Sequence, residues 1–209
     1  MVLILVKTYN IRYLRINDDN FLIFRKRLQD FCDWIIDEKI PIKWSIFTRV
    51  DSIYEDDLIL MKKAGCEQIS LGIESGSQKI HNIEKKGIKI AQIIQAIDKI
   101  SKIGIHTVGF GIIGHPLESI QTLYQTMLVA INSKLNDFKV LYMVPYPGSE
   151  LYSFHQKYGT LTNDWRKMNA YQDPCFIPFG LTKKELQKWR KKIFFRFYLR
   201  PRKIGRAHV

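Results

Sequence analysis

The chain has 209 residues, 46% of them hydrophobic and 25% charged, with 12 glycines and 7 prolines, a balance that excludes disordered and collagen-like chains and makes one domain the expectation. Its three cysteines, Cys32, Cys66 and Cys175, stand far apart with no C-x-x-C pair, which excludes a disulfide framework and a zinc knuckle. The net charge of +13 is concentrated: eleven of the 33 Lys/Arg fall in residues 182–209 against one acid, and the remaining chain is nearly neutral.

Residues 1–6 form a short apolar run stopped by Lys7, without the basic start or small-residue cleavage site of a signal peptide. No apolar run approaches the ~20 residues that span a bilayer, so the chain reads as cytoplasmic. Runs rich in Ile, Val, Tyr and Phe follow at 11–16, 42–48, 68–73, 105–113 and 138–144, and each reads as a strand. Between them the period becomes helical. Phe24, Leu28, Phe31, Cys32 and Ile35 share one helix face before Pro41, and Ile90, Ile93, Ile94, Ile97 and Ile100 share another before Gly104. In residues 52–66, Ser52 and Glu55 are spaced as a capping box, acids occupy the first turn, and Lys62, Lys63 and Gly65 close a helix. Alternating strands and helices imply a parallel sheet, doubly wound or curled into a (β/α) barrel, with ligands gathered after the strand ends.

Those ends carry Asn17-Asp18-Asp19-Asn20, Arg49 with Asp51, the run from Gly72 to Ser77, Gly114-His115-Pro116-Leu117-Glu118, and Pro145-Tyr146-Pro147-Gly148-Ser149. Each cluster alone has a local explanation as turn and cap residues. Five at one end of a sheet point to a site. Glu74 follows an apolar strand between Gly72 and Gly76, which suits a carboxylate that receives a sugar diol or an ammonium. With the acceptors Asp18 and Asp19 and the donor fork of Arg49, the set fits a zwitterionic nucleoside. It fits a Mg²⁺ site of Asp18, Asp19 and Glu74, or a glycosidase pair, equally well. Gly109-Phe110-Gly111-Ile112-Ile113-Gly114 spells the dinucleotide fingerprint, but it lies inside an apolar run rather than between strand and helix, so a Rossmann site is not expected.

His81, His106 and His155 have no second ligand at metal spacing and read as structural; His115, at a strand end, is a candidate for a substrate or proton-transfer role. Cys66 reads as buried packing. In the basic C-terminal segment, Trp189, Ile193, Phe194, Phe197 and Tyr198 recur at helical spacing, as in a helix packed on the body with its cations solvated. No specific nucleic-acid partner is expected, and contact of this helix with an anionic membrane is the secondary alternative.

Taken in order, Ile16 to Phe21, Trp44 through Asp51, Met61-Lys62-Lys63-Ala64-Gly65-Cys66, Gly72-Ile73-Glu74-Ser75-Gly76-Ser77-Gln78, Pro145 to Tyr152 and Arg196 to Pro201 resemble radical S-adenosylmethionine (SAM) enzymes, in particular the class with an N-terminal cobalamin-binding domain. The resemblance implies a partial TIM-type (β/α)₆ barrel over residues 1–160 that lacks its first strand. It also implies a C-terminal extension at 161–204 with a helix at about 182–199, and 205–209 read as a non-native tail. SAM is the implied cofactor and an unidentified substrate the implied partner. A [4Fe–4S] cluster is implied only in a longer parent, where cobalamin is a further option. By position, Asp18, Asp19 and Asn20 fall near the methionyl amine, Arg49 near SAM polar groups, and Glu74 with Ser75 at the ribose. Gly111 and Gly114 run beside the adenine or methionyl moiety, and Pro145 and Tyr146 close the adenine side. Two departures stand out: Leu117 occupies a position where the family has glycine, and the C-x-x-x-C-x-x-C loop that ligates the cluster is absent. The second leads to the expectation of a truncated, inactive fragment in which Val2–Tyr9 ends the helix that follows the cluster loop.

Overall fold

The computed structural model describes residues 2–200; the reading of 205–209 as an appended tail falls outside them. Five strands form a parallel sheet in chain order: β1 (Tyr13–Ile16), β2 (Lys43–Arg49), β3 (Cys66–Glu74), β4 (His106–Ile113) and β5 (Asp137–Tyr142). The helices are α1 (Val2–Tyr9), α2 (Arg25–Asp37), α3 (Glu55–Lys63), α4 (Gln78–Ile83), α5 (Ile90–Ile103), α6 (Ile120–Asn132), α7 (Glu150–Phe154) and α8 (Lys183–Tyr198). A two-stranded antiparallel ribbon, β6 (Gly159–Leu161) with β7 (Phe176–Pro178), precedes α8. No helix among the described residues is long and apolar enough to cross a membrane. The five expected strands all form. Gly109 and Gly111 lie within β4, and the next helix starts only at Ile120, so the glycine series is strand and not a phosphate-binding turn.

The chain divides into two compact units. The first comprises the residues up to Gly72, with Ala91–Gly109 and Lys134–Asp137. Here β1 pairs in parallel with β2 from Tyr13 opposite Lys43 to Ile16 opposite Ile46, and β2 pairs with β3 as far as Arg49 opposite Gly72. Ile69 and Leu71 of β3 are fully buried and Ser70 nearly so, the near-continuous burial of a parallel strand covered on both faces. Trp44 is also fully buried; its indole N–H donates to the Ala64 carbonyl at 2.7 Å, and the rings of Phe21 and Phe31 meet it edge-on at 6.3 and 5.3 Å. Asp57, in the acidic first turn of α3, is buried and taken bidentate by Arg25 of α2 at 2.8 and 2.9 Å, under the ring of Tyr54.

The expected Ser52–Glu55 capping box does not form. Ser52 closes a 3-10 turn, Val50–Ser52, and its hydroxyl accepts from the Asn20 amide at 3.3 Å; α3 starts at Glu55 after Tyr54, which offers no side-chain cap. The first-turn acids and the lysines of the last turn remain, so the dipole part of the expectation holds.

The second unit comprises Ile73–Ile90, Phe110–Ser133 and the chain from Phe138. In it α8 opens on a true capping box, Thr182 with Glu185, and packs on α6; its Leu186, Ile193 and Phe197 are fully buried and Trp189 is 8% exposed. Phe194 departs from the expected stripe: it is half exposed and stacks on Tyr198 at 4.7 Å.

Candidate functional site

The site in the second unit is built around the turn that ends β3. Glu74 has φ +61°, a left-handed conformation uncommon outside glycine, and the Ser75 N–H donates back to the Ile73 carbonyl at 2.8 Å, closing a γ-turn with Glu74 at its centre. Such a backbone persists only where its surroundings over-determine it. They do so here through a chain of hydroxyls. The Ser77 N–H donates to Ser75 Oγ at 3.1 Å, Ser75 and Thr126 share a hydroxyl contact at 3.2 Å, and the Gly76 N–H donates to Thr126 Oγ1 at 2.9 Å. Thr126 gives its own proton to the Thr122 carbonyl at 3.1 Å, so Ser75 is the donor of the pair. His81, buried in α4, holds the Ser75 carbonyl through Nε2 at 2.8 Å. Thr126→Val keeps the shape of that side chain and strips the Gly76 N–H of its acceptor. We expect it to cost about 1–3 kcal/mol, read as a lowered urea midpoint at unchanged m.

Glu74 lines a cleft of about 670 Å³ together with Glu84, Lys86, Ile112, Met143 and Tyr146. Lys86 Nζ stands 3.7 Å from the Glu74 carboxylate, and both side chains are partly exposed. Pro145 and Tyr146 line the same cleft, Tyr146 being 57% exposed. The lining thus sets an acid and a cation side by side and adds apolar and aromatic groups, a combination that accepts a zwitterion carrying a flat ring.

The remaining expected residues of this unit have partners within the protein. Ser75 is fully buried with its hydroxyl engaged as described. Gly111 makes room for Phe138: a Cβ there would lie 2.5 Å from that ring. The N–H groups of Gly114 and His115 both donate to one oxygen of the buried Glu118, at 2.6 and 3.2 Å, while its other oxygen accepts from Thr122. Leu117, where the resembled family carries glycine, adopts φ +58° and so keeps the turn that glycine would make. His115 does not face the cleft. It is fully buried, with Nδ1 2.5 Å from Glu84 and Nε2 3.1 Å from the Ile112 carbonyl, so no ring nitrogen is left for proton transfer to a ligand.

In the first unit, Asp18, Asp19 and Asn20 follow β1 and Arg49 ends β2, as expected. Asp18 accepts from the Asn20 N–H at 3.0 Å and from Arg27 at 2.9 Å. Asn20 accepts from Thr48 at 2.7 Å, which ties the two strand ends together. Arg49 forms a forked pair with Asp51 at 3.1 and 2.7 Å, which lowers the pKa of the Asp51 carboxyl. Sequence reading missed Glu84, Lys86 and Thr126. Glu84-Lys85-Lys86-Gly87 has the composition of a solvated helix end, and nothing in it announces the positive φ of Lys85 (+52°) that sets the course of this segment.

The family model described as the radical SAM superfamily matches residues 8–130. The chain belongs to the radical SAM superfamily. It is 32% identical over 195 residues to an uncharacterized methyltransferase of Pyrococcus horikoshii, covering 93% of this chain and 42% of that protein. It is 28% identical over 200 residues to an anaerobic magnesium-protoporphyrin IX monomethyl ester cyclase of Rubrivivax gelatinosus, covering 94% and 35%. The chain therefore spans less than half the length of these relatives. Its fold is similar to that of the radical SAM methyltransferase TsrM from Kitasatospora setae, solved with cobalamin and a [4Fe–4S] cluster, with a TM-score of 0.57, 15% identity, and coverage of 65% of this chain and 29% of that one.

The two groups the superfamily implies fare differently against these residues. For SAM, the Glu74 and Lys86 wall with the apolar and aromatic side of the cleft is a suitable donor set. For the cluster, the three thiols are not. Cys32 and Cys66 lie in the first unit and Cys175 in the second, and all are buried. Burial pushes Cys32 up to about 12 and raises Cys66 and Cys175 as well, whereas a cluster takes thiolates. Among the described residues no group of three or more His, Cys, Asp or Glu is placed to hold a metal ion, so the Mg²⁺ alternative finds no ligand set there.

Proposed function

We propose that this chain forms the SAM-holding part of a radical SAM enzyme, and that cluster thiolates come from sequence other than these 209 residues. The observation that carries the reading is the Glu74 carboxylate, fixed at the centre of a braced γ-turn on the cleft wall with Lys86 beside it. Glu74 accepts hydrogen bonds from the ribose hydroxyls, and Lys86 sets a positive charge next to them for the carboxylate of the ligand. Pro145 and Tyr146 shield the flat base from water. The assignment of Asp18, Asp19, Asn20 and Arg49 to the methionyl part, and of Ser75, Gly111 and Gly114 to the surroundings of the ribose and base, rests on the resemblance of their sequence positions. When SAM is bound at a reduced [4Fe–4S] cluster it supplies the 5′-deoxyadenosyl radical that starts the chemistry. The methyltransferase and cyclase names of the relatives support radical chemistry on an organic substrate, and the cobalamin in TsrM supports a cobalamin-using parent. The substrate stays unassigned, because a fold does not carry specificity.

Isothermal titration of the chain with SAM tests this. Saturable binding without cleavage is expected. Glu74→Gln, which removes a charge-assisted acceptor worth about 1.5–3 kcal/mol, should weaken binding about ten- to a hundredfold. Absence of SAM binding, or equal binding by Glu74→Gln, would refute the cradle; stoichiometric iron and sulfide uptake by the chain alone with SAM cleavage would refute the outside source of thiolates.

A further inference from the structure

His115 looks at first like a core histidine that the cleft does not use. Its two contacts say more. Glu84 and the Ile112 carbonyl are both acceptors, at 2.5 and 3.1 Å, and an imidazole satisfies two acceptors only when both nitrogens carry protons. A neutral ring would turn a lone pair on one of them. The side chain is therefore an imidazolium sealed from water, facing the carboxylates of Glu84, Glu118 and Glu74. Burial opposes its charge, but the Glu84 hydrogen bond and those three carboxylates outweigh burial and raise its pKa above the ordinary 6.5. Glu84 responds in the opposite sense: burial would raise it, but His115, Lys86 and His81 lower it.

The far side of Glu84 is the cleft. Glu84 caps the end of α4, where its N–H donates to the Ile80 carbonyl. From there the chain passes through Lys85 at φ +52° to Lys86, whose N–H returns to the His81 carbonyl and whose ammonium meets Glu74. We infer that His115 is a positioning residue for the Glu74 cleft: it anchors Glu84 to the end of β4 and through it holds the 84–86 segment that brings Lys86 beside Glu74. The inference rests on the reading of the cleft as a SAM site, and goes beyond it by assigning the residue that sets the cation there.

The sign of the pH effect follows from the raised pKa. The tether is complete below the ordinary histidine range and is lost as pH rises through the folded-state value, which lies above 6.5. Two measurements on the full chain test it. In the first, the His115 ring is titrated by NMR: a pKa above the ordinary value is expected, falling in Glu84→Gln. In the second, S-adenosylhomocysteine is titrated into the wild type, His115→Gln, Glu84→Gln and the double variant across a pH series, with thermal unfolding of each as a control. Wild-type affinity should fall through the pH range in which the ring titrates. Each single variant should bind about tenfold more weakly and lose that pH step, and the double variant should be no weaker than either, as expected of residues acting as one unit. If His115→Gln does not fold, Glu84→Gln, whose side chain is 16% exposed, carries the test. An ordinary His115 pKa untouched by Glu84→Gln, or variants that keep the wild-type affinity and pH profile, would overturn the inference. A wild type that binds no nucleoside at any pH refutes the SAM reading instead, and the NMR arm alone then decides the tether.

Discussion

Gly76→Ala should cost the chain about 3 kcal/mol or more, and with it the turn that presents Glu74. A Cβ at Gly76 would lie 2.5 Å from the Gln125 carbonyl oxygen and 2.6 Å from Thr126 Cα. Both are backbone atoms of α6, so no flexible side chain can swing aside. The overpacking of a dense interior costs ~1–3 kcal/mol and more where backbone must move. It would also part Gly76 from Thr126, breaking the hydroxyl chain that holds the strained φ of Glu74. Urea unfolding reads the stability loss, and SAM titration at low denaturant reads the loss of the site. A midpoint within 0.2 M of wild type would show that α6 yields more readily than the packing implies.

Phe197→Ala is the second large effect expected, about 3–5 kcal/mol, a substantial share of the ~5–15 kcal/mol by which a domain is stable. The Phe197 ring is fully buried, 5.9 Å from Phe138, and the Arg200 guanidinium lies 3.9 Å over it. Arg200 in turn donates to the carbonyls of Ala130, Ile131 and Ser133 at the end of α6. Deleting the ring removes its burial and loosens that cap together. Phe194→Ala, three residues earlier and 51% exposed, should change stability by no more than about 0.5 kcal/mol. Equal losses from the two variants would show that α8 packs through a different face.

The contrast between those two phenylalanines marks where sequence reading works and where it stops. Helical spacing put Trp189, Ile193 and Phe197 on one side correctly, because a period of 3.6 follows from the backbone alone. It could not tell whether the neighbouring Phe194 meets α6 or water, because that depends on a partner helix far away in the chain. Strands β1 to β5 were legible for a similar reason: β-branched and aromatic runs between turn residues leave few alternatives. Glu74 was legible from its place after an apolar strand between glycines. The companions that shape its surroundings were not. Thr126 sits mid-helix among residues of no special pattern, and Lys86 lies in a lysine pair that composition assigns to solvent. His115 was noticed for a proton-transfer role, whereas the carboxylate that makes it an anchor, Glu84, is 31 residues away. Ser52 shows a related failure: its spacing to Glu55 suits a cap, but Asn20 reaches its hydroxyl first. Local signals name the element; which polar group takes which partner is settled by tertiary contacts.

The braced turn at Glu74 has a kinetic corollary. Hydroxyl protons at Ser75 and Thr126 already point along a single fixed direction, and the peptide after Ser75 is pinned by His81, so the acceptor wall loses its freedom during folding rather than on encounter with a guest. If the cleft takes a nucleoside as proposed, arrival at this wall is governed by diffusion and orientation, and differences in residence time among analogues will report how well each one fits beside the ammonium that Glu74 already holds.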